Sequence, residues 1–321
     1  MNTNTRIAIT AAALAFTACA SASETDQYFE RSVPIADSTE ALNRKLNVTL
    51  AKIVAKHRTV RDQRVIVYKV SSRLGGHHRV DYRLTDKYEK WALKSPAVES
   101  RKVPVRDSIY GNMPPWSIRA VAVFGLAETI RVDDQLIGSD KLSHFLSQGR
   151  KFYHRYQKSG SESKAAKRGV LTERAIFGSG MTGSFSNADL VANYEGYLFY
   201  RSLFEDDVIP GKPAIFRWDD DGWVMQREFD WADHVNEYWD EALNVNAYDW
   251  LLRRHMEDRL VDLCPQYWQN PAIYTIQDEG VLQDRYAHLG MRDTKSMRLG
   301  ELCQGDMGEA HEAMMAANDA P

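Results

Sequence analysis

The chain has 321 residues, 44% of them hydrophobic and 11% aromatic, with 41 basic against 44 acidic side chains for a formal charge of −3. That apolar content is enough for a sizeable core. The near balance of charge gives no general pull toward nucleic acid, and no nucleic-acid partner is expected. Basic runs at 58–64 and 158–168 read as solvated faces and loops.

At the amino terminus Arg6 precedes an uncharged stretch over 7–16 and then small residues, the three-part form of a bacterial export signal over 1–22. Two cleavage readings stand. Ala20-Ser21-Ala22 suits ordinary signal peptidase, whereas Phe16-Thr17-Ala18-Cys19 has lipobox form and would leave Cys19 as a lipid anchor touching a membrane. Both readings place the protein in the periplasm, the second as a lipoprotein held at the outer membrane. Nothing after Phe16 approaches eighteen consecutive apolar residues, so no membrane-spanning helix is expected. Residues 23–36 read as a flexible tether, 37–305 as one mostly helical domain and 306–321 as a polar tail. No linker divides the mature chain, and no internal repeat is visible.

Along that domain, Asp37-Ser38-Thr39-Glu40 resembles a capping box, and Leu42, Leu46, Leu50, Ile53 and Val54 recur at helical spacing up to His57. Residues 64–71 suit either a strand or the second arm of a helical hairpin, ended by Gly75-Gly76. A helix is expected over 82–94, followed by a loop marked by Pro96 and Pro104 and a turn at Pro114-Pro115. Residues 118–124 are apolar and β-branched. Thr129-Ile130-Arg131-Val132 and Gln135-Leu136-Ile137 flank Asp133-Asp134 as a hairpin. Gly138-Ser139-Asp140 then caps a helix whose apolar side carries Leu142, Phe145, Leu146, Phe152 and Tyr153.

A polar break at 159–163 leads to a helix holding Glu173, and Ser186 starts another with Leu190, Tyr194, Tyr197 and Leu198. Residues 215–225 have hairpin form around Asp219-Asp220-Asp221-Gly222, and 230–243 and 249–263 read as helices. Cys264 and Cys303 lack CxxC spacing and a surrounding Cys/His ligand set. In an oxidising compartment they are expected to form a disulfide. The fold class is therefore mainly α, an irregular helical bundle with a few short β-hairpins.

Two polar patterns stand out against this frame: Asp140-Lys141-x-x-His144-Phe145 and Ser186-x-x-Asp189-x-x-x-Asn193-x-x-Gly196. Positions three or four apart share a helix face, so each pattern makes a polar stripe, and such stripes are costly to bury unless they face one another. Capping alone would account for Asp140, Ser186 and Asp189. It does not account for Lys141, His144, Glu173 and Asn193 in adjacent helices. A buried Asp-Lys-His-Asn network could equally fix helix register without chemistry.

Other motifs are weaker. Gly178-Ser179-Gly180-Met181-Thr182-Gly183 matches GxGxxG but stands between helices, which excludes a dinucleotide fold. Asp219-Asp220-Asp221-Gly222 lacks the alternating ligands of an EF-hand, and His77-His78 belongs to no H-E-x-x-H motif. No cofactor and no metal are expected. Asn47-Val48-Thr49 matches a glycosylation acceptor by chance, inside a helix.

A helix opening D-K-x-x-H-F, a later helix with a Glu and a helix of form S-x-x-D-x-x-x-N-x-x-G resemble the signature of VanZ-like proteins and the related YfiM-type bacterial lipoproteins. The matching residues are Asp140, Lys141, His144, Phe145, Glu173, Ser186, Asp189, Asn193 and Gly196, and the resemblance covers residues 140–203. VanZ-like proteins are membrane-embedded helical bundles, whereas the matching helices here carry Arg150, Lys151, Arg155 and Arg201. The resemblance implies a polar helix cluster in an envelope protein. Two functional expectations follow. One is a hydrolase or transferase acting on an envelope lipid or cell-wall intermediate, with His144 as general base, Asp140 or Asp189 orienting it, and Lys141 or Asn193 stabilising developing negative charge. The other is a non-catalytic binding or scaffold protein in which the same residues fix helix packing.

Overall fold

The computed structural model describes residues 24–75, 86–113, 125–166 and 183–304, and within them the chain is mainly helical with short antiparallel strands. The export signal with Cys19, His77-His78, the Pro114-Pro115 turn, the 118–124 stretch, Glu173 and the glycine loop up to Thr182 lie outside the described residues.

Helix α1, Thr39–Lys56, buries Leu42, Leu46, Leu50, Ile53 and Val54 as their spacing predicts. Its start differs in detail from a capping box: Ser38 makes no side-chain cap bond, and Asp37 Oδ1 instead accepts the Thr39 N–H at 2.8 Å. Asn47 is buried and pairs with both backbone groups of Phe229, at 2.8 Å each, which leaves no room for a glycan. Residues 64–71 belong to a helix, α2, Gln63–Leu74. Asp62 caps it, and it buries Ile66, Val67, Val70 and Leu74 at intervals no strand would allow. A short α3, Lys87–Ala92, follows.

Strand β1, Ser100–Arg101, pairs with β2, Thr129–Val132, and β2 with β3, Gln135–Gly138, in register Ile130↔Ile137 and Val132↔Gln135. Asp133 and Asp134 turn this hairpin with φ of 48° and 62°, the pair of positive values that a two-residue primed turn requires. Helix α4 then runs through three consecutive segments: α-helical Asp140–Ser143, a π turn over His144–Gln148, and α-helical Gly149–Ser159. After β4, Ser184–Phe185, Ser186 caps α5, Asn187–Ser202, accepting the Asp189 N–H at 3.1 Å. β5, Phe216–Asp219, and β6, Gly222–Met225, form the expected hairpin.

The helix expected over 230–243 does not form. Short 3-10 turns stand there instead, at Trp231–Asp233 and Glu237–Trp239. The cause is local: Asp230, Asn236 and Asp240 each accept the backbone N–H two residues on, which offers the backbone an alternative to a continuous helix. β7, Ala247–Tyr248, pairs with β4, and α6, Trp250–Val261, is capped by Asp249. Then come α7, Cys264–Gln269, α8, Glu279–Tyr286, and α9, Leu299–Leu302. Cys264 and Cys303 are disulfide-bonded as expected, with Cα atoms 5.4 Å apart.

Two apolar cores result. The larger gathers α1, α2, α4, α5 and the aromatic residues Phe229, Trp231 and Trp239. The smaller surrounds the disulfide and packs α6, α7 and α9 against Ile109, Tyr110 and Tyr28. Tyr28 corrects the expectation of a tether over 23–36. Residues 24–28 are buried because Tyr28 fills the second core and Asp26 accepts the backbone N–H groups of Tyr28, Phe29 and Ile109. Among the described residues, no helix is long and apolar enough to cross a membrane.

Candidate functional site

Helices α4 and α5 cross with their backbones in contact. A Cβ on Gly196 would lie 1.9 Å from the Phe145 carbonyl oxygen, and one on Gly149 would lie 2.5 Å from the Gly196 backbone. Only glycine permits this approach. Phe145 locks the crossing from one side, its ring 5.2 Å from Phe199 and 4.7 Å from Trp231. The π turn lies at the crossing, its Gly149 N–H reaching the His144 carbonyl. π turns insert one extra residue into a helix and so re-aim the side chains beside them.

This packing brings five of the expected residues together. The Lys141 ammonium is fully buried and lies 2.9 Å from Asp140 Oδ2, 2.7 Å from Asp189 Oδ1 and 2.6 Å from Glu241 Oε1. His144 Nδ1 is 3.0 Å from Asn193 Oδ1 and so donates its proton there, while Nε2 faces Asp189 Oδ2 at 3.4 Å and Asp140 Oδ2 at 4.0 Å. Glu173 lies outside the described residues. The carboxyl of Asp189, 13% exposed, and the half-buried Ser186 form the cluster's outer edge.

Glu241 and Glu24 were not expected in the site. Ser186 Oγ donates to Glu241 Oε1 at 2.9 Å while accepting the Asp189 N–H, so the cap residue also ties the helix to the cluster. Asn246 Nδ2 donates to Glu241 Oε2 at 3.0 Å and reaches Glu24 Oε2 at 3.4 Å, where Ser184 and Tyr110 hydroxyls also donate. The local sequence offered little sign of Glu241, which stood in an expected helix, or of Glu24, which stood in an expected tether.

Three carboxylates on one ammonium leave negative charge in surplus, and the proton affinities show it. Burial, then the Glu241 charge, raises Glu24 to about 8, so it holds a proton at neutral pH. Burial raises Asp140 to about 6 against the opposing charge of Lys141, with Asp189 adding to the rise. Asp189 is also desolvated, yet His144 and Lys141 outweigh burial and hold it below the ordinary carboxylate range. Lys141 is pushed well up, because the Asp140, Asp189 and Glu241 charges outweigh its desolvation. Asp140 Oδ1 is buried and has no hydrogen-bond partner among the described residues.

Neither family models nor curated proteins nor solved structures contain a match to this chain. The site is read from its own geometry.

Asp140, His144 and Asp189 place one ligand atom each within 4.8 Å of one another, a set with the chemistry to hold a divalent ion. Such an ion would share Asp140 and Asp189 with the Lys141 ammonium, which already supplies positive charge at that point. On the other side of α4, Ser139 and Ser143 donate to Glu89 and Ser147 donates to Asp86. Burial raises Glu89 to about 8.

Further along α5, Glu195 makes a second buried cluster. Its Oε2 meets His234 Nδ1 at 3.0 Å, and its Oε1 accepts from Arg285 at 2.6 Å and from the Tyr286 hydroxyl at 2.8 Å.

Proposed function

We propose that this is an exported bacterial envelope protein, an irregular helical bundle whose α4–α5 site is that of a hydrolase or transferase acting on an envelope lipid or a cell-wall intermediate. The observation that carries the reading is the setting of His144. Asn193 accepts Nδ1–H, so proton exchange is left to Nε2, and the Asp189 carboxylate 3.4 Å away favours the imidazolium, from which Nε2 can give up a proton and take it back. Asn193 fixes the ring and Asp189 completes the pair. In this reading Lys141 holds the cluster together, its ammonium hydrogen-bonded to Asp140 and Glu241 and lying 2.7 Å from Asp189. The reading keeps the resemblance to VanZ-like and YfiM-type proteins as the origin of the helix pair, and keeps a periplasmic site of action with Cys19 as the lipid anchor. Intact-mass measurement of the chain purified from the envelope tests the anchor: a diacylated or triacylated Cys19 supports it, and a start at Ser21 or Ser23 refutes it.

A non-catalytic scaffold is the second reading, favoured by the near-complete burial of Lys141 and His144. His144→Ala separates the two. If His144 is a base, the substitution abolishes rescue of a deletion strain's envelope phenotype even where the variant is folded, beyond what any loss of stability explains. If it only fixes packing, stranding Asn193 and Asp189 costs roughly 1–3 kcal/mol and lowers the melting temperature by several degrees, with rescue retained in proportion to folded protein.

A further inference from the structure

Away from the α4–α5 site, α1 and α2 enclose an open cleft of about 460 Å³, within the size range of small-molecule sites. Its charge is one-sided. Lys52, Lys56, His57, Lys69, Arg73 and Lys87 line it, and among the described residues no acidic side chain does. Among the described residues, none of these lysines or the arginine lies within salt-bridge distance of a carboxylate. In a chain with more acids than bases, five cations around one hollow are a departure from the surrounding surface. The placement follows from helical spacing: Thr49, Lys52, Ile53 and Lys56 share a face of α1, while Tyr68, Lys69, Ser72 and Arg73 share a face of α2.

Favourable contact with helix carboxyl ends would explain some of these charges, but not all. Lys56 and Arg73 sit in the last turns of α1 and α2, where a cation is favoured. Lys52 and Lys69 stand about a turn earlier, beyond that field. Lys87 opens α3, but its Nζ donates to the Ser72 carbonyl in the last turn of α2 at 2.7 Å, so it too is drawn to that carboxyl end, and Lys52 and Lys69 are the charges left without such a reason. Tyr68, 43% exposed, adds a phenolic hydroxyl to the rim. The crowding of like charge is visible at His57, which burial and then the Lys69 and Lys56 charges hold below the ordinary imidazole range.

We propose that this cleft is a binding site for a phosphate-bearing group, with Lys52 and Lys56 on one wall, Lys69 and Arg73 on the other and Lys87 at the end. Ammonium and guanidinium donors converging from two helices suit the several oxygens of a phosphate, and a bound anion relieves the repulsion among them. The same chemistry is offered by a soluble phosphate compound and by a phospholipid headgroup.

The test uses the full chain with two probes, inorganic pyrophosphate by titration calorimetry and phosphatidylcholine vesicles with or without phosphatidic acid by co-sedimentation. Pyrophosphate binding at millimolar concentration or tighter assigns a soluble ligand, and binding confined to phosphatidic acid vesicles assigns a headgroup. Either supports the site, provided that Lys56→Glu with Lys69→Glu weakens it at least about tenfold while circular dichroism and melting stay unchanged. Arg254→Glu with Lys295→Glu, exposed cations on the disulfide side, should leave binding as it was. The proposal fails if neither probe binds, if Lys56→Glu with Lys69→Glu binds like the wild type, or if the distant pair weakens binding equally.

Discussion

Helix α5 helps to bury two charge clusters, and they are built on opposite plans. Around Glu195, one carboxylate is met on both oxygens by Arg285, Tyr286 and His234, so acceptor and donors are matched. Around Lys141, one ammonium is met by three carboxylates, one oxygen of Asp140 has no hydrogen-bond partner among the described residues, and Glu24 keeps a proton because a further charge is too costly. A matched network specifies packing. An unmatched one shifts proton affinity, and its outer edge at Asp189 and Ser186 is where solvent reaches it.

The largest effect expected from this difference is at its centre. Lys141→Met leaves three buried carboxylates without their cation and should lower unfolding free energy by about 3–5 kcal/mol in urea denaturation. A loss under about 1 kcal/mol would mean that the carboxylates do not depend on Lys141, and the contrast would collapse.

The next test sets the clusters side by side. Glu195→Gln removes a charge that Arg285 and His234 both use and should cost roughly 1–3 kcal/mol. Asp189→Asn removes one charge from a surplus, so its cost should be the smaller of the two. The reverse order in paired denaturation curves would show that the Lys141 cluster is the balanced one.

A third test lies in the pH dependence. Glu24 titrates near 8 in the folded chain against an ordinary 4.5, so its contribution is fully present below pH 4.5 and is lost as pH rises through 8. Asp140, raised from 3.8 to about 6, adds to the decline over the lower part of that range. Asp189, lowered, contributes in the opposite sense only as the pH falls below its ordinary 3.8. Urea midpoints should therefore fall from pH 4.5 to 8, and Glu24→Gln should flatten the slope, leaving a remainder from Glu89. A midpoint that climbs over this range, or an unchanged slope in the variant, would contradict the assignment.

The parts of this site that were legible in the sequence are those encoded locally. Asp133-Asp134 specified a two-residue turn because both positions had to accept positive φ, and the spacing of Ser186 to Asp189 specified a cap because the bond is three residues long. His144, Lys141, Asp189 and Asn193 could be grouped because helical spacing fixes which side chains share a face. Glu241 could not be found that way: it reaches Lys141 across 100 residues, from a stretch whose Asp and Asn caps broke the helix that periodicity suggested. Tyr28 and Asp26 were hidden for the same reason, since a polar, loosely patterned segment gives no sign that the second core will take it in.

The π turn at His144–Gln148 gives this helix a place where its length can change. A π turn closes on the fifth residue and an α turn on the fourth, so the extra residue is absorbed within one turn and the flanking segments keep nearly the azimuths they would have without it. Its removal would leave Asp140 and Lys141 close to their present faces and re-aim only the bulged residues, His144 among them. The same deletion within Asp140–Ser143 or Gly149–Ser159 would instead turn everything upstream by about 100° around the axis.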